Sequence, residues 1–311
     1  MKRIICLLCA LSVFLMTGCS NNFHKKEGKL SIVTTMFAAY DFAKQVAGDE
    51  ADVTMLLKPG EETHSYEPSP KDIIKIEECD VFIYVGGEND AWVDRILSGV
   101  KKDVKIIKML DLVEKYEEEI VEGMEHEEEE EEADKKEWDE HVWTDPKNAA
   151  IIVRAITKVL METDSDNHSY YEYNCKEYVD RLMELDSEFK KLIDEAPRKE
   201  VVFGDRFPLR YFVEAYGLKY YAAFPGCATE TEPGSKTIAF LIDKVKEDEI
   251  PVIFTIELSN GNIAKTIAES AGAEVMTFYS CHNISKNDFD NGETYLTLMK
   301  KNLTSLKEAL Y

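Results

Sequence analysis

SYYEYNCKEYVDRLMELDSEFKKLIDEA, Ser169 to Ala196, is the stretch whose reading decides the fold. Neither Gly nor Pro interrupts it, and Pro197 stops it. Nearly every residue in it tolerates or favours helix, so it can run as one rod of about 40 Å at 1.5 Å per residue. A helix of that length, placed midway along 311 residues, reads as a rigid connector between two lobes. A flexible linker would be shorter and rich in Gly, Ser or Pro.

Outward from it, both flanks alternate strand and helix. Upstream, Leu30 to Thr34 reads as a strand, followed by a helix that ends at Gly48. ADVTMLL (51–57) is a second strand, and Pro70 opens a helix to Glu78. DVFIYVGG (80–87), a helix through Trp92 and VKIIKML (104–110) continue the pattern. Downstream, EVVFGD (200–205), LKYYAAF (218–224), IPVIFTIE (250–257) and AEVMTFYS (273–280) are strands with helices between them, and a helix closes the chain. This alternation predicts an α/β protein of two lobes, each a small parallel sheet flanked by helices, joined by one long backbone helix. The expected divisions are 1–18 signal peptide, 19–29 tether, 30–168 N-terminal lobe, 169–197 connecting helix and 198–311 C-terminal lobe. The two halves show no repeat at the level of residues.

The formal net charge of -24 argues against nucleic acid, whose phosphates need a basic surface. It suits cations. MKRIICLLCALSVFLMTGCS has a basic start, an apolar core from Ile4 to Met16 and small residues before Cys19. That is an export signal, too short for a comfortable membrane span. Leu15-Met16-Thr17-Gly18-Cys19 resembles a bacterial lipobox, which makes Cys19 a lipid-anchored first residue of the mature chain and places the protein outside the cytoplasm, on the cell membrane.

A strongly acidic run from Tyr116 towards Pro146 has no apolar periodicity and too much like charge to pack, so 114–140 is expected to be a mobile loop. It ends in His141. Behind it, Asp145-Pro146 opens a helix with apolar residues Ile151, Ile152, Ala155, Ile156 and Val159 at helical spacing. His141 thus sits on a fixed element beside an anionic arm. Of the six histidines, His24 lies in the tether, His126 in the arm and His168 at a helix start. His64, His141 and His282 lie beyond strands or at helix entries, where open α/β sheets place ligands. No compact motif such as HExxH or paired CxxC is present, so any metal site has to be assembled across the fold. Imidazole with carboxylate suits Zn²⁺ or Mn²⁺.

With these residues in view, the chain resembles the extracytoplasmic substrate-binding lipoproteins of bacterial zinc and manganese ABC importers. The resemblance runs from Leu30 to Leu310 and rests on IVTTMFAAYDFAKQVAGD, PGEETHSYEPSPKD, HVWTDPKNA behind an acidic loop, YGL and ETEPGSKTIAFLIDKVK. It implies two α/β lobes spanned by a long helix, and His64 and His141 as the first two ligands. The family's third ligand position holds Gly204 here with Asp205 beside it, and its aspartate after the last strand falls near Tyr279 and Ser280, with His282 just beyond. Asp205 and His282 therefore complete the expected metal set. The function implied is capture of a divalent ion, Zn²⁺ first because nitrogens outnumber oxygens, and its delivery by a monomer to an ABC permease in the membrane. Manganese binding is the alternative within the family. A lipid-anchored metallohydrolase with Glu257 or Glu62 as base, and an adhesin, are the competing classes. No GxSxG motif supports the hydrolase, and the chain is expected not to be an enzyme.

Outside the cytoplasm, Cys79, Cys175, Cys227 and Cys281 are free to form a disulfide. Cys227 with Cys281 is the favoured pair, since both lie in loops near the proposed site. Buried thiols or a thiolate ligand remain open.

Overall fold

The computed structural model describes residues 28–61, 66–100, 103–124, 137–227 and 233–311. Two four-stranded parallel sheets carry the fold. The N-terminal sheet has β1 (Leu30–Thr34), β2 (Ala51–Met55), β3 (Val81–Tyr84) and β4 (Lys105–Lys108) in the order β2-β1-β3-β4. The C-terminal sheet has β5 (Glu200–Phe207), β6 (Lys219–Pro225), β7 (Val252–Ile256) and β8 (Glu274–Phe278) in the matching order β6-β5-β7-β8. Each order reverses direction between its first and third strands. The loops leaving those strands form a crevice at the carboxyl ends, where such sheets place ligands.

Ten α-helices follow among the described residues: α1 (Phe37–Ala47), α2 (Pro70–Glu78), α3 (Ala91–Leu97), α4 (Pro146–Thr163), α5 (His168–Glu195), α6 (Arg210–Tyr216), α7 (Ser235–Glu247), α8 (Asn262–Ala271), α9 (Lys286–Asp290) and α10 (Tyr295–Leu310). The connecting rod is α5, a single helix of 28 residues. Local signals set several starts. Ser69 and Asp72 form a capping box ahead of Pro70, and Asp145 accepts from the Lys147 amide ahead of Pro146.

Alternation along the strands assigns each sheet two faces. Ile32 of β1 and Phe203 of β5 turn inward to a large core shared by both lobes and filled by α1, α4, α5 and α10. Their neighbours Val33 and Val202 face separate outer cores, one under α2 and α3, the other under α7 and α8. Buried Asp41 of α1 pins the shared layer. It accepts from the Tyr178 hydroxyl of α5 at 2.9 Å and from the Tyr295 amide that opens α10 at 3.1 Å. The last helix thereby completes the first lobe.

The expected mobile loop 114–140 is corrected at both ends. The Glu118 amide donates to the Glu137 carbonyl and the Asp139 amide to the Tyr116 carbonyl, while Glu117 and Trp138 form an antiparallel bridge. Backbone pairing and buried Met124, Asp139 and Glu140 hold these stretches despite their charge. Residues 125–136, with His126, lie outside the described residues, as do His24 and the Cys19 anchor site. Among the described residues no helix is long and apolar enough to cross a membrane.

Candidate metal centre

His141 precedes a short 3₁₀ turn, Val142–Thr144, that leads into α4. It is fully buried. Asp139 Oδ1 accepts from the His141 amide at 2.8 Å and stands 3.2 Å from its Nδ1. A carboxylate at Nδ1 holds the neutral ring's proton there and turns the Nε2 lone pair towards an ion. Burial works against a charged ring, but the carboxylates of Asp139, Glu140 and Glu118 outweigh it and raise the pKa. Glu140 carries its own support, accepting from the Asn89 amide and side chain at 3.0 and 2.9 Å. Burial pushes its carboxyl up to about 7.

The C-terminal lobe supplies His282. Its ring centroid lies 5.2 Å from that of His141, with planes at 82°. Two imidazoles bound to one ion at about 2.05 Å and a tetrahedral angle would have centroids about 5 Å apart, so the pair fits Zn²⁺. The loop carrying His282 is fixed from three sides. Glu257, just past β7, accepts from the Ser280 amide and hydroxyl at 2.7 Å each and from the His282 amide at 3.2 Å. The Trp143 indole donates to the Ser280 carbonyl at 2.8 Å. The Phe37 amide donates to the His282 carbonyl at 3.2 Å. Leu258 and Cys281, beside Glu257 and His282, adopt left-handed φ of 66° and 60°. Non-glycine residues rarely take that conformation, and its presence on both sides of the contact marks a backbone held by its surroundings.

Asp205 lies near the end of β5, where pairing with β6 shifts register between Phe203 and Arg206. Its Oδ2 accepts from the Thr255 hydroxyl at 2.7 Å, and its Oδ1 from the Arg206 amide at 2.9 Å. A cavity of about 180 Å³ is bordered by Asp205, Arg206, Glu257 and His282. His282 also borders a smaller one, of about 30 Å³, with Asp90 and Glu140. Position 204 can hold no donor, because a Cβ there would stand 2.4 Å from the Ala264 Cα. His64 lies outside the described residues. Among the described residues no group of three or more His, Cys, Asp or Glu is assembled to hold an ion. His168 is exposed at the start of α5.

The disulfide expected between Cys227 and Cys281 is not formed, and both are free thiols. Cys281 is fully buried in the shared core. Cys227 is held towards the acidic arm, where its amide donates to Glu118 at 2.7 Å. Sequence reasoning missed Asp139, Glu140 and Gly226. A Cβ at Gly226 would stand 2.8 Å from the Phe207 carbonyl oxygen and 3.2 Å from the His141 ring, so only glycine lets this loop lie against the imidazole. The one signal in the sequence was the Asp-Glu-His run itself.

The family model of zinc-uptake complex component A, periplasmic (ZnuA), matches residues 32–309. The zinc-binding lipoprotein AdcA of Streptococcus pneumoniae is 34% identical over 99% of this chain, which spans 61% of that protein's length. The high-affinity zinc uptake system protein ZnuA of Bacillus subtilis is 34% identical, over 97% of this chain and 95% of its own. The crystal structure of the Zn(II)-bound ZnuA-like domain of S. pneumoniae AdcA superposes with a TM-score of 0.75 at 32% identity, covering 91% of this chain and 99% of that one. Matched along nearly its whole described length, the chain belongs to the ZnuA family of zinc-uptake components.

Proposed function

We propose that this chain is the extracytoplasmic binding component of an ATP-driven importer, that it captures Zn²⁺ between its lobes and that it hands the ion to a membrane permease. The observation that carries the reading is the approach of His141 and His282, one from each lobe, at the spacing of two ligands on one ion. His64 and Asp205 complete the proposed set. Asp205 borders the same cavity as His282 and would have to exchange its Thr255 contact for the ion. Three imidazoles and one carboxylate make a nitrogen-rich shell, which favours Zn²⁺ over the oxygen-preferring Mn²⁺. A shell closed by four protein ligands leaves no open position for a substrate, so the site binds rather than catalyses. The chain acts as a monomer, tethered through a lipidated Cys19. Titration of the metal-free protein with Zn²⁺ and Mn²⁺, followed by metal analysis and by Trp143 fluorescence beside His282, tests this. One tight zinc per chain and weaker manganese are expected. Absence of stoichiometric zinc, or equal uptake of both ions, would overturn it.

A further inference from the structure

The acidic arm leaves the N-terminal lobe, but its roots, 116–124 and 137–140, stand on the C-terminal one. The Arg210 guanidinium lies 5.7 Å from the centre of the Tyr116 ring and 3.5 Å from the Glu119 carboxylate. The Thr237 hydroxyl donates to the Gly123 carbonyl at 2.7 Å. Between these anchors, Tyr211 of α6 makes a contact of another kind. Two residues facing each other in an antiparallel pair exchange two backbone hydrogen bonds. Tyr116 and Asp139 make one of them directly, from the Asp139 amide to the Tyr116 carbonyl at 3.0 Å. The other runs through the Tyr211 hydroxyl, which accepts from the Tyr116 amide at 3.2 Å and donates to the Asp139 carbonyl at 3.1 Å. Tyr211 is buried, and its ring packs on that of Tyr116 with 5.0 Å between centroids. Burial pushes the phenol up to about 12, so it stays protonated and accepts and donates at once.

We infer that Tyr211 is a positioning residue for the metal centre: its hydroxyl, reaching across from the C-terminal lobe, fixes the Asp139 peptide and so aims the Asp139 carboxylate at His141. The inference rests on the proposed role of His141 as a ligand. Asp139 Oδ1 serves the His141 amide at 2.8 Å while standing 3.2 Å from Nδ1 of the ring. One oxygen that meets two nitrogens leaves its own backbone little freedom. The hydroxyl sets that backbone by holding the two roots one oxygen atom apart. Without it the Tyr116 amide closes on the Asp139 carbonyl directly, and the carboxylate moves with the peptide. Gly226 leaves no slack on the far side, since even a Cβ there would stand 3.2 Å from Asp139 Oδ2. The carboxylate is close to His141 in the chain, but the peptide that presents it is set from the opposite lobe.

The test compares wild type with Tyr211→Phe, which keeps the buried ring and deletes the hydroxyl, and with Tyr220→Phe. The Tyr220 hydroxyl also reaches the arm, at Glu119, 3.4 Å away, and not through Asp139. Nitrogen NMR of the neutral His141 ring in the metal-free protein reads which nitrogen carries the proton, and competition with a chelator reads zinc affinity. Tyr211→Phe should turn the Nδ1–H tautomer into a mixture and weaken zinc on the order of tenfold, while Tyr220→Phe changes neither. Adding Asp139→Ala tests the route. In that background, deleting the hydroxyl should cost nothing further, because residues that act through one another are not additive. An unchanged tautomer and affinity in Tyr211→Phe, equal losses in both tyrosine variants, or full additivity with Asp139→Ala would overturn the inference. If wild type takes up no zinc but the tautomer still shifts in Tyr211→Phe, the positioning stands and the proposed metal reading fails.

Discussion

The two walls of the cleft hold their imidazoles by different means. On the N-terminal side, His141 is oriented by Asp139, two residues away, and fixed by the turn that starts α4. On the C-terminal side, the His282 loop is held by Glu257, 25 residues earlier, and by Trp143 through the adjoining Ser280, 137 residues earlier. One wall is built by local chain chemistry, the other by contacts between residues far apart in the chain, of which the Trp143 contact also crosses between the lobes. Removing a residue from the first wall should therefore change one nitrogen, whereas removing one from the second should loosen a whole loop.

The largest effect should come from the ligands. His141→Ala and His282→Ala should each weaken zinc binding more than a hundredfold, beyond what loss of a supporting partner causes. Isothermal titration measures it, and a His282→Ala variant with full affinity would remove the second wall from the site. Next comes Asp139→Ala, which leaves the His141 ring without its Nδ1 partner and should weaken zinc by about 10- to 100-fold with little change in manganese preference. An unchanged affinity would show that the short-range wall needs no carboxylate. Asp205→Ala should cost about tenfold, since its carboxylate must leave Thr255 to reach the ion. An unchanged affinity would remove Asp205 from the proposed set.

The smallest effect concerns stability away from the cleft. Burial raises the pKa of Asp41 above its ordinary value, despite hydrogen bonds from Gln45, Tyr178 and Tyr295. A carboxyl raised in the folded state contributes stability that is present below its unfolded pKa and is lost as pH rises through the folded one. Asp41→Asn should therefore flatten the fall in melting temperature as pH rises above the ordinary carboxylate range. A curve that keeps the wild-type slope would remove Asp41 from that dependence.

The contrast between the walls also explains what could be read from the chain alone. The lobes and the rod were legible because period and breakers are local. The rod expected over 169–197 occupies His168–Glu195, ending just before Pro197, and Pro70 and Pro146 open helices as their positions require. The place of His141 at a helix entry was legible for the same reason, with a patterned helix directly behind it. The approach of His282 to it was not, since no local rule brings residues 141 apart into contact. Its place after the last strand made His282 a candidate, and the fold supplies the partner. The ordered ends of the acidic arm were misjudged because charge density was weighed and backbone pairing between 117–118 and 137–138 was not.

One earlier feature bears on how the molecule is made. Tyr295 meets Asp41 across 254 positions of chain, and α10 fills part of the inner layer on which β1 and β3 rest. A nascent polypeptide lacking its last few turns therefore has an unfinished first half, with apolar side chains still wet. Contacts so distant along the sequence form late. Such a chain stays loose until α10 has been made, which suits a protein proposed to be threaded through a membrane before it takes shape.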